Sequence, residues 1–333
     1  AIAAKVINVV EQIHKVEHHN LYISASIGIA VYPHHGETPE LLLQHADVAM
    51  YMAKRSNQPF AFYDTTQDSY SVQQLALLGE LREAFENDTL DLYYQPKFST
   101  HEERVTGVEG LLRWNHPKHG LILPGEIIPL AERTGVIKYL THWVLNAALR
   151  QCSLWREQGH TLSVSVNLSV HDLQEPGLPA KIGQFLELWE VPPHQLELEI
   201  TESVMMSHPE RAKTVLDELG NLGVLLSIDD YGSGYSSLAY IKSLPVDTLK
   251  IDKSFILDMV RDENDATIVH STIELAHNLG FRVCAEGVEN EATWNRLVSQ
   301  GCDCLQGFYL SGPMAPEELG AWLNTNPQRA QNA

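Results

Sequence analysis

The sequence is short of basic residues, short of cysteine and without a long apolar run. Lysine and arginine number 23 against 43 aspartates and glutamates, a formal charge of -20 over 333 residues. That deficit argues against a nucleic-acid polymer or an anionic membrane surface as partner, because both recruit basic side chains. A small anionic ligand stays open if cations mediate its binding. No stretch reaches the roughly 18 apolar residues that span a bilayer, and the opening Ala-Ile-Ala-Ala-Lys-Val-Ile-Asn lacks a signal-peptide layout. The expectation is a cytoplasmic segment without membrane contact, either free or as the cytosolic part of a longer, membrane-anchored protein. Four cysteines are too few for a disulfide framework at this length. Cys302-Asp303-Cys304 has no second pair at zinc-ligand spacing, and the 16 histidines form no His-Glu-x-x-His pattern. Cys284 and Cys304 read as small core residues.

What the chain does have is alternation. From Leu90 onward strand-like runs cover Leu90 to Phe98, Gly107 to Trp114, Leu162 to Leu168, Gln195 to Ile200, Val224 to Ile228, Thr248 to Ile251, Arg282 to Ala285 and Cys304 to Leu310. Helical patterns separate them, such as Thr141 to Gln158, Arg211 to Leu222 and Ala266 to Leu279. This order predicts an α/β fold, a closed (β/α)8 TIM-type barrel. Thr100 to Thr106 is too short for a parallel crossover, so the first two strands pair antiparallel. Upstream, a strand within Leu21 to Val31, a turn at Pro33 to Thr38, a helix over Glu40 to Lys54 and a strand at Phe60 to Tyr63 make a small partial α+β segment. Such a piece is too small for an independent core. An amphipathic helix over Gln73 to Asn87, with Leu75, Leu78, Leu81 and Phe85 on one face, reads as the linker. The predicted division is 1–64, a linker helix over 65–88, the barrel over 89–326 and a disordered tail over 327–333.

In such a barrel the site lies at the C-terminal mouth. Period two sorts each strand: Val164 and Val166 face the helices and Ser165 and Asn167 face in, Leu198 and Ile200 oppose Glu199, Leu249 and Ile251 oppose Lys250, and Val283 and Ala285 oppose Glu286. Glu109, Arg113, Asn167, Glu199, Glu202, Asp229, Asp230, Lys250, Glu286 and Gln306 thereby gather at or beyond strand ends. Crowded carboxylates take up protons unless cations neutralise them. Oxygen donors without His or Cys suit hard divalent ions, Mg²⁺ or Mn²⁺. Two ions sharing Asp229 would form a clamp for in-line displacement at phosphorus. Adjacent Asp229 and Asp230 point to opposite strand faces unless the strand ends there. Read alone, the pair is equally a solvated acidic turn with Asp230 as an N-cap, and Lys250 has a salt bridge to a neighbouring carboxylate as its alternative.

The segments Tyr93-Tyr94-Gln95-Pro96, Glu109-Gly110-Leu111-Leu112-Arg113-Trp114, Asn167-Leu168-Ser169, Glu199-Ile200-Thr201-Glu202, Asp229-Asp230-Tyr231-Gly232, Lys250-Ile251-Asp252-Lys253-Ser254-Phe255, Ala285-Glu286-Gly287-Val288-Glu289 and Gln306-Gly307-Phe308 together resemble the EAL-type cyclic di-GMP phosphodiesterases. The resemblance implies a modified TIM barrel with its first strand antiparallel, two Mg²⁺ or Mn²⁺ ions, and hydrolysis of cyclic di-GMP to linear pGpG. It implies one ion on Glu109, Asn167, Glu199 and Asp229 and another on Asp229, Asp230 and Glu286. It further implies Lys250 orienting or deprotonating the attacking water with help from Glu286, and substrate contacts from Gln95, Leu112, Arg113 and Gln306, the last equally placed to act from behind the substrate. Glu202 would position the loop after Asp230, where Gly232-Ser233-Gly234 precedes a helix capped by Ser236 or Ser237. The barrel face near that loop, including Ser237 to Lys242, would form a homodimer.

Ser26-Ile27-Gly28-Ile29-Ala30 followed by Ala46-Asp47-Val48-Ala49-Met50-Tyr51-Met52-Ala53-Lys54 resembles the C-terminal third of a GGDEF diguanylate cyclase domain. Its signature loop is not in the sequence, so no cyclase activity is expected. One departure stands in the barrel: Gly110 occupies the position where the family motif has Ala. The contrasting expectation is a degenerate domain that binds cyclic di-GMP, or only a protein partner, without cleaving it.

Overall fold

The computed structural model describes residues 2–10, 14–16, 19–21, 26–55, 58–64, 77, 79–81, 83–85, 89–202, 209–232 and 238–325. The predicted tail, most of the predicted linker helix, and residues 233–237 with the expected Ser236 or Ser237 cap lie outside them. Two units are present, 1–86 and 87–333. No helix is long and apolar enough to cross a membrane among the described residues.

In the first unit, helix α1 (Ile2–Val10) precedes a hairpin of β1 (His14–Val16) and β2 (His19–Leu21). Strand β3 (Ile27–Ile29) and β4 (Phe60–Phe62) pair in parallel, and α2 (Pro39–Arg55) makes the crossover. Small residues set the closeness of strand and helix: a Cβ on Gly28 would stand 1.8 Å from the Ala46 carbonyl oxygen. The His45 ring closes this arrangement by stacking on Tyr63, with centroids 3.9 Å apart.

The second unit opens with β5 (Leu90–Ser99) and β6 (Arg104–His116), an antiparallel hairpin turned over four residues, 100–103. After the short β7 (Gly120–Ile122), which extends β6 at its outer end, come α3 (Pro124–Thr134) and α4 (Ile137–Glu157). The remaining order is β8 (Ser163–Leu168), α5 (Leu178–Leu188), β9 (Leu196–Thr201), α6 (Pro209–Leu222), β10 (Leu225–Tyr231), α7 (Leu238–Ile241) and β11 (Thr248–Ile251). It ends with α8 (Lys253–Leu257), α9 (Glu263–Leu279), β12 (Arg282–Ala285), α10 (Glu291–Ser299), β13 (Cys304–Leu305) and α11 (Pro316–Thr325). Strands β6 and β8 to β13 run parallel in sequence, and β5 pairs antiparallel with both β6 and β13, closing an eight-stranded barrel. The fold is the α/β modified TIM barrel that the element order predicts.

Burial follows the period-two sorting. Val164, Val166, Leu198, Ile200, Leu226, Ile228, Leu249, Ile251 and Val283 are buried on the helix-facing side. Helices answer with apolar stripes at helical spacing, as in Leu145, Ala148, Leu149, Cys152 and Trp155 of α4. Trp155 meets Tyr94 of β5 edge-on at 4.8 Å, the geometry that the ring quadrupoles favour. Helix α4 begins four residues before the predicted Thr141, because Gly135 at φ 72 ends α3 in the left-handed conformation and the chain turns directly into the next helix.

The last strand departs most from the sequence reading, ending at Leu305 instead of Leu310. Its backbone leaves the ladder at once: Val288 donates to the Gln306 carbonyl, Tyr309 donates to the Val288 carbonyl, and Leu310 donates to Gly307. Gly307 permits this crossing, since a Cβ there would fall 2.2 Å from the Val288 carbonyl oxygen. We expect Gly307→Ala to destabilise the barrel by about 1 to 3 kcal/mol through overpacking, read as a lower urea midpoint at unchanged slope. A midpoint equal to wild type would show that the crossing relaxes without strain.

Candidate active site

The strands carry an inward polar residue facing the mouth: Glu109 midway along β6, and Asn167 on β8, Glu199 on β9, Asp229 on β10 and Lys250 on β11 towards their ends. Glu286 follows β12 directly and Gln306 follows β13. Gln95 reaches the same mouth from β5, because the antiparallel register sets it opposite Glu109. Glu199 and Lys250 are fully buried, and Glu109, Asp229 and Gln306 are nearly so.

Lys250 is the hub. Its Nζ lies 2.5 Å from Glu199 Oε2 and 2.5 Å from Glu286 Oε1, 3.1 Å from Asp229 Oδ1 and 3.8 Å from Glu109 Oε2. Burial by itself would depress this lysine, but Glu109, Glu199, Glu286 and Asp229 outweigh it and hold the group well above its ordinary value. With these four carboxylates around it, the charged ammonium form is the favoured one, a donor to each of them. Glu109 is pinned on both oxygens: Asn167 Nδ2 donates to Oε1 at 2.8 Å and Gln306 Nε2 donates to Oε2 at 2.7 Å. Gln306 Nε2 also lies 3.2 Å from Gln95 Oε1, and Gln95 Nε2 donates to the Ser311 carbonyl. The buried Gln306 Oε1 has no partner among the described residues.

Asp229 and Asp230 both reach the mouth because the strand is distorted between them. The β10 to β11 register shifts between Ile228 and Tyr231, and Asp230 takes a left-handed φ of 54. A non-glycine residue holds that conformation only where its surroundings enforce it; here its N–H donates to Asp229 Oδ1 at 3.0 Å. One oxygen each of Asp229, Asp230 and Glu286 then lies within 4.8 Å of the others. Burial, followed by the charge of Asp229, pushes the Asp230 carboxyl up to about 6. Burial, with Asp229, Glu109 and Glu199 adding and Lys250 opposing, pushes Glu286 up to about 8. This triple is short of positive charge, and its all-oxygen donor set fits a hard divalent cation.

Towards the rim, Leu112 is buried and Arg113 is half-buried, its guanidinium donating to the Leu112 carbonyl and lying 5.6 Å from the Tyr93 ring centroid. A cavity of about 310 Å³ opens beside them, lined by Leu112, Pro124, Ile128, Leu140 and Asn167 among others. Glu202 is buried at the end of β9, and its charge reaches the Tyr231 hydroxyl. The loop it is expected to position continues into residues 233–237, outside the described ones.

Residues 78–313, more than half of the sequence, match the family described as EAL domain. The chain belongs to the EAL-domain family. Its residues 1–59 match the family described as diguanylate cyclase, GGDEF domain. The Pseudomonas aeruginosa protein named bifunctional diguanylate cyclase/cyclic di-GMP phosphodiesterase MucR is 42% identical over 320 residues, covering 96% of this chain and 47% of its own length. The Bacillus subtilis signaling protein YkoW is 39% identical over 329 residues, covering 98% of this chain and 41% of its own. The chain thus spans less than half the length of these two relatives. The solved PaMucR phosphodiesterase in complex with c-di-GMP is 44% identical, with a TM-score of 0.70 over 73% of this chain and 99% of that one.

Beneath the mouth, this EAL domain has a second buried ionic layer that the sequence reading passed over. Lys97 hydrogen-bonds Ser165 Oγ and pairs with Glu197 at 2.6 Å and with Glu199 at 3.1 Å. Burial would depress Lys97 and raise Glu197, but the attraction between them prevails, with Lys97 held well above its usual value and Glu197 held down at about 2. Glu199 is therefore gripped from both sides, Oε1 by Lys97 and Oε2 by Lys250. The signal was in the sequence: Lys97, Ser165 and Glu197 each stand two residues from Gln95, Asn167 and Glu199, hence on the same inward faces. Removing one member of such a buried cluster leaves uncompensated charge, so Lys97→Met should destabilise by about 3 to 5 kcal/mol. Lys97→Met/Glu197→Gln should recover much of that loss in chemical denaturation. A double variant no more stable than the single one would refute the coupling.

Proposed function

We propose that this chain hydrolyses one phosphodiester bond of cyclic di-GMP to give linear pGpG. The observation that carries the reading is the complete mouth-side set of Glu109, Asn167, Glu199, Asp229, Asp230 and Glu286 arranged around the buried Lys250 ammonium. The similarity to MucR, whose name includes cyclic di-GMP phosphodiesterase, supports the substrate. Glu109, Asn167, Glu199 and Asp229 would hold one Mg²⁺ or Mn²⁺, and Asp229, Asp230 and Glu286 a second. When bound, the ions supply Lewis acidity at phosphate oxygen and a water of lowered pKa.

The side chains supply the rest. Lys250 stays charged, so it orients the attacking water and stabilises charge on phosphate oxygen, while Glu286 beside it is the carboxylate suited to receive a proton. Arg113 meets a substrate phosphate, Leu112 flanks the substrate, and Gln95 and Gln306 contact it. Glu202 positions the loop that presents Asp230. The boundaries follow the sequence reading, with a GGDEF remnant over 1–64, a linker over 65–88 and the catalytic barrel over 89–326. The barrel face by the loop after Asp230 is proposed as a homodimer surface, which predicts turnover per chain that falls on dilution.

Purified chain with Mg²⁺ or Mn²⁺ should convert cyclic di-GMP to pGpG, followed by chromatography. Lys250→Met should lower kcat by about a hundred- to a thousandfold, as loss of an electrostatic stabiliser does. Substrate bound by the wild type but left intact would overturn the activity and favour a receptor. Cation affinity is also pH-dependent on this reading. Glu286 and Asp230 carry protons below about 8 and about 6, and cations must displace them, so Mn²⁺ affinity should rise about tenfold per pH unit for each proton displaced. Calorimetric titration at pH 6, 7 and 8 checks this, and a flat profile would contradict the assignment of Glu286 and Asp230 as ligands.

A further inference from the structure

The barrel end opposite the mouth holds a cavity of about 520 Å³, lined by the starts of β8, β10, β11, β12 and β13. Two thiols face it. Cys284 of β12 and Cys304 of β13 are register partners on adjacent parallel strands. The Cys284 thiol donates to Cys304 Sγ at 3.0 Å, and both side chains line the cavity. Cys284 is buried and Cys304 half-exposed, and neither is bonded to another cysteine. Directly paired strand residues lie about 5 Å apart at Cα, inside the span that a disulfide bridges. The other two cysteines differ. Cys152 donates to the Leu162 carbonyl and Cys302 to the Val283 and Cys304 carbonyls, both buried and neither lining the cavity.

We propose that Cys284 and Cys304 form a dithiol site that hydroperoxides, entering through this basal cavity, oxidise to a disulfide across β12 and β13. The half-exposed Cys304 thiol meets the peroxide first. Its sulfur takes one peroxide oxygen, the O–O bond breaks, and the other oxygen leaves as an alcohol or as water, giving a sulfenic acid at Cys304. The Cys284 sulfur then attacks the Cys304 sulfur, the S–O bond breaks, and the hydroxyl leaves with the Cys284 proton as water. Each cysteine sulfur has lost one electron, and the peroxide has gained two. Neither step involves the mouth.

Treating the full chain with excess hydrogen peroxide, quenching, denaturing and alkylating should show the loss of two of its four alkylatable thiols, restored by dithiothreitol. Trypsin should then yield peptide 283–296 linked to peptide 297–329. Cleavage before Asp303 separates Cys302 from Cys304 and should leave the link on the Cys304 side. Cys304→Ser should abolish the link, while Cys302→Ser should keep it. Four alkylatable thiols after treatment, oxidation stopping at sulfinic acid on Cys304, or a link that maps to Cys302 would each overturn the proposal. Because the wild-type map decides the matter, it does not depend on a variant that folds poorly.

Discussion

The Lys250 ammonium in the middle of the barrel is the constraint on which the rest of the structure depends. Four carboxylates approach it, three from strands β6, β9 and β10 and one from just beyond β12. Without it, Glu109, Glu199, Asp229 and Glu286 would repel one another in a medium that solvates charge poorly. Lys97 repeats the device one layer deeper, and the shared Glu199 joins the two layers. The interior is thus a column of alternating charge within a sleeve of Val, Leu and Ile, so the aim of the mouth carboxylates is set from below.

Much of this was legible in the sequence, for a plain reason. Strand parity is a strict period of two, so once Val164 and Val166 are read as outward, Ser165 and Asn167 follow, and the same holds for Glu199 and Lys250. The antiparallel first pair followed from loop length alone. What parity cannot express is its own violation. Asp229 and Asp230 should diverge, and they meet at one mouth only through the register shift and the positive φ at Asp230. The apolar run of Cys304 to Leu310 looked like a strand because side-chain pattern does not record where Gly307 lets one backbone cross another. The lower layer of Lys97 and Glu197 is harder to read for a different reason: parity turns both inward, but their pairing joins residues 100 apart on strands that are not neighbours.

The ionic layers also set how the barrel is built in time. Glu109 and the Gln306 that holds its Oε2 are 197 residues apart in the chain, and Glu199 precedes Lys250 by 51. Within the barrel, synthesis makes the β5–β6 hairpin first, with Gln95 opposite Glu109, while the seam to β13 cannot form until the final strand emerges. A nascent barrel that ends before β11 lacks Lys250, and of Glu109, Glu199 and Asp229 only Glu199 has its partner beneath, Lys97. The mouth carboxylates are therefore left to protons or cations for neutralisation until β11 brings its ammonium between them.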